Sequence, residues 1–491
     1  MNKFLLVLSA FYSVLSFSAP PEAMFSPYEG DQAFNRIYEN VEAAKKTAHL
    51  TIYSWSDAGI TNAMEKLLES NPNVKLRVVL HRPLAKTAST KSRVAKLEKL
   101  GAMFKMAKMN MHEKFVLVDS KKLVNSSANM SGGAKNRYAE DFVFIDSDGE
   151  KDNEKLISSF EKEFAILWNT SEDIVTKDEL QKADILKFDI DSPNLADESD
   201  SMTLHSSSMN FNLELNKVGS ADYKKGKIVN MTDRKLADGS EPFAVSSALI
   251  RAIDEAKESV QLSLNHFNLY SVSEALIRAV TRGVEIRLAV DNQEFKTKIR
   301  DTGRRSIEMT PRFIRDWKLL PGNKNKEAPV RVKFYSHAPH HASWLLNHHK
   351  YVIIDAKGKK PVLFAGSFNL SQNAEFNQFD SLVEYKGKDY LSLINSYSDN
   401  HDRIWGMNRD ASDRPSKESL DYFKTVYEGS YVRIHAASPD NAVSLTWSEA
   451  LKLKKEMNKV APGMFRGLYS KSACSYYDFK TQKYFGGSAC K

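Results

Sequence analysis

His112-Glu113-Lys114-Phe115-Val116-Leu117-Val118-Asp119 and His348-His349-Lys350-Tyr351-Val352-Ile353-Ile354-Asp355 are two copies of one pattern, H-x-K-x4-D, in a single chain. In each, a histidine and a lysine two residues apart lead into an apolar run. That spacing predicts a β-strand with both polar side chains on one face, so that a nucleophile or acid stands beside a cation. By the same period of two, Asp119 and Asp355 point to the other face, where they are expected to pin the strand to its neighbours rather than touch a ligand. A single histidine in a strand is ordinarily structural. The same order of His, Lys and Asp met twice argues for catalysis.

A second element repeats in the same order. Ser126-Ser127-Ala128-Asn129 follows the first strand and Gly366-Ser367-Phe368-Asn369 the second. Small residues followed by Ser and Asn suit a strand end turning into a helix, where hydroxyl, amide and backbone N–H groups gather round an anion. An acid comes eleven residues after each Asn, Glu140 in the first copy and Asp380 in the second. A carboxylate so placed is expected to return to the histidine and hold one ring nitrogen, leaving the other to react.

With these residues in view the chain resembles the phospholipase D superfamily, whose signature is H-x-K-x4-D-x6-G-S-x-N used in pairs. The second copy matches apart from four extra residues within Ala356-Lys357-Gly358-Lys359-Lys360-Pro361, read as a lengthened hairpin turn. The first keeps the spacing but has Ser126 where the family has Gly. The resemblance implies a phosphodiesterase working through a phosphohistidine. His112, Lys114, Asn129, His348, Lys350 and Asn369 would be catalytic, and Ser127, Ser367, Glu140, Asp380, Asp119 and Asp355 supporting. It favours His112 as nucleophile and His348 as acid, although near-symmetric copies do not decide this. No cofactor is implied.

The implied fold class is α/β: two similar sandwich domains about a pseudo-twofold axis, each a mixed sheet flanked by helices, with a small C-terminal extension. An internal duplication agrees. Ala43 to Trp55 aligns with Glu255 to Phe267, and Val74 to Leu80 with Val284 to Val290. Each half reads helix, strand, helix, strand, then the His-Lys strand and another strand. The offset between halves grows from about 210 residues to 236, so something is inserted between Asp291 and His348, including the basic stretch Arg304 to Lys318. It is expected either to overhang the pocket or to be a solvated basic helix.

The expected boundaries are a signal peptide over 1–18, domains over 26–180 and 241–410, an acidic linker over 181–240, and an extension over 411–491. Residues 1–18 pair one lysine with an apolar run too short to span a bilayer, which takes about twenty residues, and predict export to the periplasm or the medium. No later segment reads as a membrane span, and a monomer is expected. Cys474 and Cys490 are the chain's two cysteines. In an exported chain they most simply form one disulfide. His337, His340, His341 and His349 invite a metal reading, but no Cys or carboxylate spacing completes a site, so no metal is expected.

At 491 residues and 42% hydrophobic, the chain has material for two packed cores, which excludes a disordered or fibrous class. A net charge of +8 favours anionic partners without separating a phospholipid surface from DNA. The substrate is therefore expected to be a phospholipid or another phosphodiester, with nucleic acid second, peripheral membrane contact possible, and a binding-only protein third.

Overall fold

The computed structural model describes residues 20–147, 151–174, 185–187, 201–213, 228–230, 244–291, 309–326, 328–332, 346–409, 476–478 and 483–485. The expected signal segment, Cys474 and Cys490, and His337, His340 and His341 lie outside them, as do most of 181–240 and of the tail.

The first half runs β1 (Glu22–Ser26), α1 (Gly30–Glu42), β2 (Thr47–Ile52), α2 (Ala58–Ser70), β3 (Lys75–Leu80), α3 (Arg82–Ala85), α4 (Ala88–Lys99), β4 (Met103–Met106), β5 (Asn110–Met111), β6 (Phe115–Val118), β7 (Lys122–Ser126), α5 (Gly132–Asn136), β8 (Glu140–Asp146), α6 (Lys151–Thr170) and β9 (Glu172–Asp173). The second runs β10 (Met202–Ser206), β11 (Phe211–Leu213), β12 (Ile228–Asn230), α7 (Ser246–Glu255), β13 (Ser259–Leu264), α8 (Tyr270–Thr281), β14 (Glu285–Val290), α9 (Met309–Leu319), β15 (Val330–Val332), β16 (Lys350–Ile354), β17 (Val362–Gly366), α10 (Gln372–Phe376), β18 (Gln378–Phe379), β19 (Ser381–Lys386) and α11 (Leu391–Arg409). In the tail, Tyr476–Asp478 pairs antiparallel with Lys483–Phe485.

The two main sheets repeat one strand order. The first is β1-β8-β7-β6-β2-β3-β4-β9 and the second β10-β19-β17-β16-β13-β14-β15, so every strand but β9 has a counterpart. Both are mixed: β2-β3-β4 and β13-β14-β15 run parallel, and the His-Lys strands pair antiparallel with β2 and β13. Both faces are covered, which explains strands as uniformly apolar as Val116 to Val118 and Tyr351 to Ile354.

Helices α1, α2 and α4 lay one apolar face on the first sheet, with Phe34, Ile37, Met64, Leu67 and Val94 buried against Leu50, Leu76 and Val78. Helices α7, α8 and α9 do the same on the second. A third core lies between the sheets and draws on both halves: Phe115, Leu117 and Val143 pack with Tyr351, Ile353, Val383 and Tyr397, together with α6 and α11. The halves are thus joined by a shared apolar layer, which drives their association.

Two expectations are corrected here. Met202–Ser206, placed in the linker, forms edge strand β10 and pairs with β19 as β1 pairs with β8. Its loop-forming neighbours hid a short strand, Met-Thr-Leu-His-Ser, that is buried throughout. In the insertion, α9 does not lie free in solvent. Phe313, Ile314 and Trp317 are buried in the second core, because they recur on one helical face between the basic residues. The four extra residues of the second motif do lie in the β16–β17 turn.

Candidate active site

The strand of each motif begins later than the sequence predicts. β6 starts at Phe115 and β16 at Lys350, leaving His112 and His348 ahead of the ladder. The reason lies across the seam: the His112 N–H donates to Phe379 O at 2.8 Å, and the His348 N–H to Ala139 O at 2.9 Å. Each histidine's backbone is therefore docked on the half that it does not belong to. Short bridges extend the contact, β5 with β18 and Ala139 with Asn347.

The acids cross the same seam. Asp380 Oδ2 lies 3.0 Å from His112 Nδ1, and Glu140 Oε2 lies 2.7 Å from His348 Nδ1. The sequence reading had each acid returning within its own copy; the exchange follows from packing the two seams face to face. The imidazole centroids are 6.5 Å apart, close enough for both rings to reach one phosphoryl group. With Nδ1 engaged, Nε2 of each ring is the nitrogen left for chemistry.

The serines of the S-x-N triplets hold these acids. Ser127 Oγ donates to Glu140 Oε2 at 2.7 Å, and Ser367 Oγ donates to Asp380 Oδ1. Lys114 and Lys350 each donate to the carbonyl of the histidine two residues before, and both are almost fully buried. Asn129 and Asn369 line the cavity, and the Oδ1 of each is buried without a hydrogen-bond partner among the described residues. Ser131 and Ser371, two residues beyond, cap α5 and α10 by accepting the N–H of Ala134 and Ala374.

Burial sets the electrostatics. It lowers His112 to about 4, helped by Lys114 and opposed by Asp380, and takes His348 well below the ordinary histidine range with help from Lys350 and Lys114. It brings Lys114 down to about 7 and Lys350 to about 8. It raises Glu140 well above the usual carboxyl range, Lys350 and Ser127 opposing. At Asp380 burial also pushes up, but His112, Lys114 and Ser367 outweigh it and hold the carboxyl below its ordinary value.

Asp119 and Asp355 stand apart from the cavity. Asp119 accepts the N–H groups of Lys45, Lys46 and Thr47 at 2.6–2.9 Å, and Asp355 those of Lys257, Glu258 and Ser259 at 2.7–2.9 Å. Both adopt positive φ, 55° and 48°, to present the carboxylate to the start of the neighbouring strand. His349 also faces away from the cavity, its Nδ1 2.7 Å from Asp141 and its Nε2 3.2 Å from Asn400. Among the described residues no cluster of three His, Cys, Asp or Glu side chains could hold a metal.

The cavity has a volume of about 720 Å³ and lies across both halves, with His112 and Asn129 facing His348 and Asn369. Sequence reasoning missed several of its residues. Tyr53 lies with its ring centroid 4.7 Å from that of His112 and 4.5 Å from that of His81. Behind the lining, His81 and Asp291 directly follow the equivalent strands β3 and β14, and each accepts the N–H just before the motif histidine, from Met111 at 3.4 Å and Asn347 at 2.7 Å. The alignment of Val74 to Leu80 with Val284 to Val290, carried one residue further, would have paired them.

The family described as cardiolipin synthase, PLD-like domain, matches residues 37–168 and 249–405, one stretch for each half. The chain belongs to the phospholipase D superfamily. Among curated members it is 28% identical to the mitochondrial cardiolipin hydrolase of Danio rerio over 149 residues, 30% of this chain and 61% of that protein. It is 27% identical to a phospholipase D of Rickettsia conorii over 122 residues, 25% of this chain and 59% of that protein. The matches thus span about three-fifths of these relatives' length. Among solved structures, the phosphatidylserine synthase of Haemophilus influenzae aligns with a TM-score of 0.51 at 11% identity, covering 79% of this chain and 87% of that one. At that identity the likeness concerns the fold.

Proposed function

We propose that the chain is an exported, metal-independent phosphodiesterase of the phospholipase D type, hydrolysing phospholipids to phosphatidic acid and a headgroup alcohol. The observation that carries this reading is the pair of imidazoles 6.5 Å apart, each with Nδ1 held by a carboxylate from the opposite half. In the first step the Nε2 lone pair of one histidine attacks phosphorus. The P–O bond to the headgroup oxygen breaks as that oxygen takes a proton from Nε2 of the other. In the second step water gives a proton to this second histidine, and its oxygen attacks phosphorus. The P–N bond then breaks and returns its electron pair to the nucleophile. Lys114, Lys350, Asn129 and Asn369 serve the non-bridging oxygens, where preorganised donors act most strongly as charge redistributes.

The relatives named cardiolipin hydrolase and phospholipase D support a lipid substrate. A secreted nuclease is the second reading, favoured by the lining itself. Leu346 is the one aliphatic side chain among the described residues that line the cavity, while Tyr53, Tyr138 and Arg137 offer stacking and charge to a nucleotide.

The experiment is to incubate the purified chain with phosphatidylcholine, phosphatidylethanolamine, cardiolipin, plasmid and single-stranded DNA, without added metal and with chelator. Headgroup release that persists in chelator supports the proposal. Nicked plasmid selects the nuclease, restoration by zinc alone overturns metal independence, and silence throughout leaves a phosphate-binding protein. Export through residues 1–18 and a Cys474–Cys490 disulfide belong to the same proposal, tested by fractionation and by thiol titration of the secreted chain.

A further inference from the structure

The two halves hold their acids unequally. Asp380 accepts from three side chains: Ser367 on Oδ1, and both His112 and Gln378 on Oδ2, with Gln378 Nε2 at 2.7 Å. Gln378 is itself fixed, because Asn373 Nδ2 donates to its Oε1 at 2.6 Å. The Asp380 N–H is also occupied, donating to Ser207 Oγ at 2.8 Å. Glu140 accepts from Ser127 and His348 on Oε2, while its Oε1 is buried with no hydrogen-bond partner among the described residues. At the positions equivalent to Asn373 and Gln378 the first half has Gly133 and Tyr138, so it lacks the amide pair.

A carboxylate fully supplied with donors is a weak base, and one with a bare buried oxygen is a stronger one. The histidine and its acid titrate as a unit, so the difference passes to the imidazoles. Resting on the phosphohistidine reading above, we infer that Gln378, oriented by Asn373, is a positioning residue that makes the two histidines unequal. It keeps Asp380 an anion, so that His112 carries its one proton on Nδ1 and presents a bare Nε2 to phosphorus. The His348–Glu140 pair retains the additional proton and delivers it from His348 Nε2 to the leaving oxygen. The opposite directions in which Asp380 and Glu140 are displaced from ordinary carboxyl values agree with this division. The charged and titratable groups facing the His112–Asp380 pair are Lys114, Lys350, Glu113, Tyr53 and His348. Lys114 and Lys350 are counterparts of each other across the seam. Tyr53, which aligns with Asn265, meets His112 through its ring and makes no hydrogen bond to Asp380 among the described residues, whereas Gln378 of the Asn373–Gln378 pair donates directly to the carboxylate.

The test uses the full-length chain and bis(p-nitrophenyl) phosphate. After an alkaline quench, peptide mapping should find covalent phosphate on His112 in the wild type. In Gln378→Ala the acidic limb of the kcat/KM profile should move to higher pH by about half a unit or more, the expected effect of losing one donor to a buried carboxylate. Part of the label should also shift to His348. A loss confined to kcat, with the limb in place, would mean that Gln378 only supports the fold and would overturn the inference. So would wild-type label on His348. Turnover with no covalent phosphate on any histidine would overturn the phosphohistidine reading itself, and the inference with it.

Discussion

Asp380 is separated from His112 by 268 residues of sequence, yet its Oδ2 stands 3.0 Å from that histidine's Nδ1. Glu140 and His348 make the reciprocal contact across 208 residues. Neither motif histidine is held by a carboxylate of its own half, so the duplicated kit becomes one site only when the halves meet.

This exchange makes the acids as important to the opposite histidine as a triad aspartate is to its own. Asp380→Asn and Glu140→Gln should each lower kcat on bis(p-nitrophenyl) phosphate by about 10²- to 10⁴-fold, in line with loss of the orienting carboxylate in a catalytic triad. His112→Ala and His348→Ala should remove nearly all turnover. Near-normal activity in either histidine variant would mean that the halves work independently.

Lys114 and Lys350, lowered by burial to about 7 and about 8, give the free enzyme an alkaline limit. As pH rises through those values each lysine loses the charge that the proposed mechanism sets against the non-bridging oxygens. The expected outcome is a kcat/KM that falls above about pH 7, by about tenfold per unit once the Lys114 proton is gone, and more steeply above about pH 8 as Lys350 follows. A profile level to pH 10 would show that neither ammonium is needed.

The repeat made the central strands, the helices and the histidines legible, because H-x-K-x4-D fixes side-chain faces by spacing alone. What spacing cannot carry is the partner across a seam. Glu140 and Asp380 were visible as acids at equal intervals, but the choice between two histidines depends on how the halves dock. Edge strand β10 was hidden because a five-residue buried strand beside acidic, loop-forming sequence has too little periodicity to stand out. Helix α9 was misread for a different reason: Phe313, Ile314 and Trp317 had to be weighed above the arginines around them. Gln378 was silent because an amide two residues before an acid has no visible role until it and His112, from the other half, are folded onto the same carboxylate oxygen.

Glu113 is fully buried, and neither carboxyl oxygen has a hydrogen bond of good geometry among the described residues, the Ser381 hydroxyl offsetting burial only in part. Burial, then the nearby Glu163, holds it well above the ordinary carboxyl range, and burial raises Glu163 to about 7. Such groups bind protons more tightly in the folded chain than in the unfolded one, where the value is about 4.3. Their cost is therefore absent at acid pH and grows as pH rises from that value through about 7. Glu113→Gln should be close to neutral at pH 4 and stabilising by about 1–3 kcal/mol at pH 8, the usual penalty of a buried unmet polar group. Urea unfolding of both proteins at the two pH values checks this, and an equal difference at both would refute it.

Gly366 and Ser126 occupy equivalent places in the two S-x-N turns, and space separates their tolerances. A Cβ at 366 would lie 2.5 Å from the backbone oxygen of Ser381, on the strand paired beside it. Gly366→Ala must push β17 from β19, moving Ser367 off Asp380 and so loosening His112. At position 126 a side chain is already accommodated, its hydroxyl donating to Lys114 O at 3.1 Å. Gly366→Ala is expected to cost about 1–3 kcal/mol, as overpacking of a close contact does, together with most of the activity. Ser126→Gly should cost about 0.5–1.5 kcal/mol for one hydrogen bond and leave the site assembled. Chemical unfolding and turnover, measured on the same two preparations, distinguish these outcomes. If Gly366→Ala matched the wild type in both, the approach of the Ser381 carbonyl would not be what requires glycine there.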